Sequence, residues 1–132
     1  MILGFCNIFD EIFLEIFSNN GKKIKQKIIK KNKENLYPDL ILEIYIFLEE
    51  QKINLKEITK VFLVPGPGKF TPARTATIFA NFLATENNVK IFSVSKQEFK
   101  SAKTFTNFLN LEKKYLKKID PIFSGPPKIN QN

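Results

Sequence analysis

The stretch whose spacing best suits phosphate chemistry is Gly66-Pro-Gly-Lys-Phe-Thr71. Glycines ahead of a helix start leave backbone amides that can hold an anion. A nucleotide-binding P-loop requires GxxxxGK followed by serine or threonine. Gly68-Lys69 supplies the GK, but Leu63 stands where the first glycine belongs and Phe70 where a hydroxyl must meet magnesium. The competing reading is a structural corner that turns the chain, and the two failed positions favour it. Elsewhere the chemistry is sparse. Cys6 is the single cysteine and the chain has no histidine, so zinc sites and histidine-based triads within it are excluded. Cys6 sits inside an apolar run and reads as a small buried hydrophobe rather than a reactive thiol. Arg74 is the sole arginine. It falls in the first turn of the helix after the loop, where the helix dipole disfavours a cation, so it either meets an anion or lies exposed.

The elements that hold this loop follow from periodicity. Val61 to Val64 is an unbroken apolar run, the pattern of a strand buried on both faces. Thr71 and Pro72 then suit a cap and a first helical residue, with a helix continuing from Ala73 to Glu86. Upstream, Ile2 to Ile8 predicts a central strand. Glu11 to Phe17 alternates, with Ile12, Leu14 and Ile16 on one face and Phe13, Glu15 and Phe17 on the other. Ser18 to Gly21 is a hairpin turn, and Lys22 to Lys30 the returning strand, with Ile24 and Ile28 inward and Lys23, Lys25 and Lys27 outward. That lysine row reads first as a solvated, edge-protecting face. As an RNA-binding stripe it lacks interleaved aromatic residues for base stacking.

Two helices carry more apolar surface than one contact needs. Asn35 to Lys52 predicts a helix with Pro38 in its first turn and a core stripe of Leu36, Leu40, Ile44, Phe47 and Leu48. Leu42, Tyr45 and Ile46 point elsewhere, toward either another protein or a larger internal core. In the helix from Pro72, Ile78, Phe79, Phe82 and Leu83 are bulky, whereas Ala73, Ala76, Thr77, Ala80 and Ala84 form a small-residue strip. Such a strip admits close approach by the first helix or by a partner's helix. Val89 to Val94 is a further apolar strand, and Ser95-Lys-Gln-Glu98 a capping box opening a helix to about Lys118.

Bulk properties bound the class. The 132 residues suit one domain, and a hydrophobic fraction of 43% is that of a folded chain. The formal net charge of +8 admits a nucleic-acid or anionic partner. Lysine carries it almost alone, however, and dedicated nucleic-acid sites also use arginine forks. A lone thiol fits a reducing cytosol. No apolar run approaches about 18–20 residues, and the start lacks the charged leader of a signal peptide, so a cytoplasmic chain with no membrane contact is expected. Three neighbouring strands followed by helix–strand–helix–strand–helix predict an α/β fold, a ribonuclease-H-like or actin-like single lobe with three antiparallel strands followed by parallel ones.

The segment GPGKFTPAR resembles the GPGSFTGLR signature of the TsaB (YeaZ) family. It keeps Gly66, Pro67, Gly68, Phe70, Thr71 and Arg74 and departs at Lys69, Pro72 and Ala73. Val89 to Ser95 resembles the family's following strand and cap, and the ending from Ile119 resembles its proline-rich C-terminus. Where the family and its ATP-binding relatives read IDTS, this chain has Cys6, Asn7 and Ile8, so the carboxylate that would handle metal or phosphate is gone. The resemblance implies the same fold over residues 1–118, with a proline-rich tail at 119–132 of little order of its own. It also implies a naturally small version lacking the second lobe. The implied function is that of a non-catalytic scaffold that binds and activates a TsaD-type transferase in making N6-threonylcarbamoyladenosine beside the tRNA anticodon. No cofactor is implied, and a TsaE-type ATPase is a possible further partner. For the chain alone a monomer, a homodimer and a form stable only with its partner all stay open, and any tRNA contact is expected to be indirect or weak. The partner interface expected is Leu42, Tyr45, Ile46, Ala73, Ala76, Thr77 and Ala80. Two other classes remain open: a basic RNA-binding module, and a small nucleotide-dependent enzyme using the Gly66–Thr71 loop.

Overall fold

A computed structural model describes residues 1–31, 39–111 and 114–124. A five-stranded sheet carries helices on both faces. Its strands are β1 (Ile2–Cys6), β2 (Glu11–Phe17), β3 (Lys23–Lys30), β4 (Lys60–Leu63) and β5 (Lys90–Ser93), in the order β3-β2-β1-β4-β5. β1, β2 and β3 pair antiparallel, whereas β1 with β4 and β4 with β5 pair parallel. This is the predicted arrangement, with β1 central and buried throughout.

The period-two pattern sorts side chains into two cores. Leu3, Phe5, Ile12, Leu14, Ile16, Val61, Leu63 and Ile91 meet helices α1 (Leu40–Glu50) and α2 (Phe70–Asn87). On the opposite face Cys6, Phe17, Phe62, Val64 and Phe92 meet α3 (Lys96–Ala102) and the turn beyond it. Phe105 presses so closely on β1 that a Cβ on Gly4 would come within 2.5 Å of its ring. The capping box of Ser95 and Glu98 opens α3 as predicted.

Several boundaries differ from the sequence reading. The Asp39 carboxylate caps α1 by accepting from the Ile41 and Leu42 amides, so the helix begins at Leu40. The earlier start at Asn35, with Leu36 and Pro38, lies outside the described residues. α2 begins at Phe70, with Lys69 at the cap position and Thr71 already helical. Pro72 is tolerated because amides in a first turn have no intrahelical partner to lose. α3 ends at Ala102 rather than near Lys118, because Lys103 turns left-handed at φ 54.

What captures the chain there is Glu15, 99% buried on β2. Its carboxylate accepts from the Phe105 amide at 2.7 Å and the Thr104 hydroxyl at 2.6 Å, and pairs with Lys23 at 2.8 Å. The chain then forms a 3-10 turn, Thr106–Phe108. Farther on, Leu116 returns to exchange backbone bonds with Ile91 of β5.

β3 also departs from expectation. Ile24 and Ile28 are exposed, at 42% and 45%, not inward. Ile28 pairs with Phe13 on the α3 side, and α3 does not extend over this edge strand, whereas Ile29, opposite Ile12, is half-buried. A Lys27–Glu50 ion pair at 3.0 Å joins the edge to the end of α1.

Candidate functional site

The loop between β4 and α2 is held from outside by the segment after Lys118. The Ile122 amide donates to the Pro65 carbonyl, Gly68 N–H donates to the Ile122 carbonyl, and the Ser124 amide donates to the Gly68 carbonyl, at 2.9, 3.1 and 2.8 Å. Asn81 of α2 anchors the start of the same segment. Its side-chain amide donates to the Ile119 carbonyl at 2.9 Å and its oxygen accepts from the Ile119 amide at 2.8 Å. Residues 119–124 therefore belong to the lobe and form a latch, in contrast to the loose tail expected from Ile119 onward. Residues 125–132 lie outside the described part.

The latch explains the corner's composition. Gly66 has φ +135, a region that excludes side chains, and its Cβ would overlap the Ile122 carbonyl oxygen. The Gly66–Pro67 peptide is cis. Pro65, Pro67 and Pro72 lack amide hydrogens and the Gly68 amide is already engaged, so the donors left are first-turn amides of α2 and not the glycine-rich cradle of a P-loop. The corner reading accounts for it. Replacing Gly66 with alanine is expected to strain the loop by about 1–3 kcal/mol and release the latch. Amide exchange at Gly68, Ile122 and Ser124 should accelerate while the α1 amides stay protected; unchanged exchange at those three would contradict it.

Phe70 is 55% exposed and stacks on Phe123 at 4.9 Å between ring centroids. The Arg74 guanidinium lies 5.4 Å from the Phe70 centroid. Among the described residues no carboxylate pairs with Arg74, so the cation rests on the ring and in solvent. The structure thus brings Gly68, Phe70 and Arg74 together around Phe123, with Gly66 against Ile122, whereas Thr71 is exposed in the first turn of α2, its carbonyl accepting from the Thr75 hydroxyl.

At the end of β1, Cys6 is fully buried and burial pushes its thiol up to about 12, which removes it as a nucleophile. The neighbouring Asn7 is buried and its side-chain oxygen has no hydrogen-bond partner among the described residues. Lys31 reaches across from the end of β3, its ammonium donating to the Asn7 and Phe9 carbonyls at 2.5 and 2.7 Å. Desolvation there lowers its pKa. Lys31, Glu15 and Asn81 are residues that sequence reasoning passed over. Their roles depend on contacts across 38 to 90 positions for Asn81 and Glu15, which no local pattern announces. Among the described residues no group of three His, Cys, Asp or Glu side chains could hold a metal ion. Nor is any described helix long and apolar enough to cross a membrane.

The helical layer gives a mixed answer about the expected interface. Ala73, Ala76, Thr77 and Ala80 are sealed inside, at 0–1% exposure. The small strip lets α2 settle onto the sheet and α1, so these four residues do not form an outer face. Leu42, Tyr45 and Ile46 of α1 do point outward, at 54%, 45% and 38% exposure, and Ile78 and Phe82 of α2 join them at 50% and 46%. The two helices touch, with the Tyr45 ring edge-on to Phe79 at 6.4 Å. Beside Tyr45 an open groove of about 610 Å³ runs past Leu48 and Lys52 to Leu55.

No family model matches the sequence. The chain is 33% identical over 109 residues to the tRNA threonylcarbamoyladenosine biosynthesis protein TsaB of Buchnera aphidicola (subsp. Acyrthosiphon pisum), covering 82% of this chain and 48% of that protein. Among solved structures it is similar to YeaZ from Pseudomonas aeruginosa, with a TM-score of 0.61 and 17% identity, over 79% of this chain and 47% of the other. A second Pseudomonas aeruginosa structure, described by its similarity to peptidase YeaZ, gives a TM-score of 0.60 with the same identity and coverage. The chain spans about half the length of these relatives.

Proposed function

The chain belongs to the TsaB (YeaZ) family, and from that premise we propose that it serves in threonylcarbamoyladenosine synthesis on tRNA as a non-catalytic subunit. Its task is to dock a TsaD-type transferase through the outer faces of α1 and α2. The observation that carries this reading is the exposure of Leu42, Tyr45, Ile46, Ile78 and Phe82 on two touching helices. Large apolar side chains clustered in this way mark an interaction surface rather than a solvated one. The rest of the chain supports a scaffold. The P-loop positions are missing, the loop amide of Gly68 is engaged by the latch, and the β1 end offers Cys6, Asn7 and Ile8 in place of a carboxylate.

The experiment is depletion of the chain in its host, followed by measurement of the modified nucleoside in purified tRNA. Threonylcarbamoyladenosine is expected to fall toward background and to return when the chain is supplied again. An undiminished level after complete depletion would remove the proposal.

A further inference from the structure

A second surface lies on the opposite side of the sheet from α1 and α2, and the docking reading does not use it. The turn from β1 to β2 and the outer side of α3 enclose a pocket of about 270 Å³. Its walls are aromatic: Phe9 and Phe13 are half-buried and both contact the buried Phe99, at 6.2 and 5.3 Å between centroids. Its rim is basic on the helix side. Lys100 and Lys103 line it, and the Lys96 ammonium stands 5.5 Å from the Phe9 centroid. None of these three lysines forms an ion pair with a described residue. On the turn side the lining includes Asp10 and Glu11.

We propose that this pocket takes an unpaired nucleobase of a single-stranded RNA. The base stacks against Phe9 and Phe13, and the flanking phosphates meet Lys96, Lys100 and Lys103. Single-strand sites combine stacking rings with a positive track for the backbone, and this pocket brings the two together around a cavity of the right size. A pocket at the small end of the ligand range holds one planar heterocycle, not a longer segment. The two carboxylates sort the orientation. They repel phosphate, which sends the backbone to the α3 side, and they accept hydrogen bonds from the exocyclic amino group of a base. Bases carrying such a group are therefore favoured over uracil. The lysine row of β3 lacks this aromatic component and is not part of the site.

The test is fluorescence anisotropy with the full chain and labelled oligocytidine or oligouridine of about ten nucleotides, within the range of single-strand site sizes. Oligocytidine should bind more tightly than oligouridine and more tightly than a duplex of equal length. Phe9→Leu keeps an apolar side chain and removes the ring, so it should weaken binding about five-fold or more, whereas Phe9→Tyr should retain it. Lys100→Ala should lower the slope of log affinity against log salt by about 0.7, the value for one phosphate contact on a single strand. Lys25→Ala on β3 should leave affinity within about two-fold. Absence of binding would overturn the proposal, as would equal affinity for duplex or indifference to Phe9→Leu. Displacement by polyglutamate as effective as by unlabelled oligocytidine would assign the surface to an acidic protein instead. A Phe9→Leu chain that failed to fold would leave the Lys100→Ala and Phe9→Tyr results to decide.

Discussion

Ile46→Asp is expected to release the chain from the transferase proposed as its partner while leaving the lobe folded. Ile46 is 38% exposed on the outer side of α1, and Asp39 and the buried stripe Leu40, Ile44, Phe47 and Leu48 hold that helix without it. A carboxylate there costs the free chain little. In a docked complex the same carboxylate would be buried among apolar groups with no counter-charge, and such a loss runs to about 3–5 kcal/mol. That corresponds to a dissociation constant raised by about two orders of magnitude or more. Thermal melting of the variant should stay within a few degrees of the parent, and co-purification should fail. Ala80→Asp is a different experiment: it places a charge at 0% exposure and would unfold the lobe rather than undock it.

Glu15→Ala is expected to destabilise the lobe strongly without touching the outer faces of α1 and α2. The carboxylate is the meeting point of β2, β3 and the exit from α3. Truncation leaves the buried Phe105 amide without an acceptor, and a hydrogen bond to a charged group contributes about 1.5–3 kcal/mol. The Lys23 pairing adds less, because that side chain is 35% exposed and screened by water. A loss of about 3 kcal/mol follows, roughly 10 °C in melting temperature for a chain of this size. Glu15→Gln keeps an acceptor for Phe105 and should recover most of it. A shift below about 2 °C for Glu15→Ala would show that the chain after α3 is held by Phe105 and Phe108 alone.

The strands were legible because β2 carries period two and β1 and β4 are apolar runs too short for a helix, and the succession of elements set their arrangement. Ile12, Leu14 and Ile16 alternate cleanly, and Val61 to Val64 admits no solvated face. That Leu42, Tyr45 and Ile46 lie off the buried stripe of α1 was legible from its period, but whether an internal core or solvent met them was not, and the structure exposes them. Failures came where two packings satisfy one pattern. The alanine strip fits an internal contact or an external one, and the sheet beneath α2 took it. Phe99, Ala102, Phe105 and Leu109 keep helical spacing, yet Lys103 breaks the helix and Glu15 draws the following backbone onto the sheet. Ile24 and Ile28 alternate with lysines on a strand at the sheet's edge, and it is Ile29, opposite Ile12, that packs against the core instead. The latch at residues 119–124 is built largely from backbone hydrogen bonds, which leave no trace in residue type apart from Gly66 and Asn81.

Docking through the α1 and α2 outer faces is tested most directly by photocrosslinking in the assembled complex. A photoreactive phenylalanine analogue replaces Leu42, Ile78 or, as a control, Lys25. The account predicts covalent adducts with the transferase from positions 42 and 78 and none from position 25 on the β3 edge. Adducts from position 25 alone, with positions 42 and 78 labelling only solvent or a second copy of this chain, would contradict it.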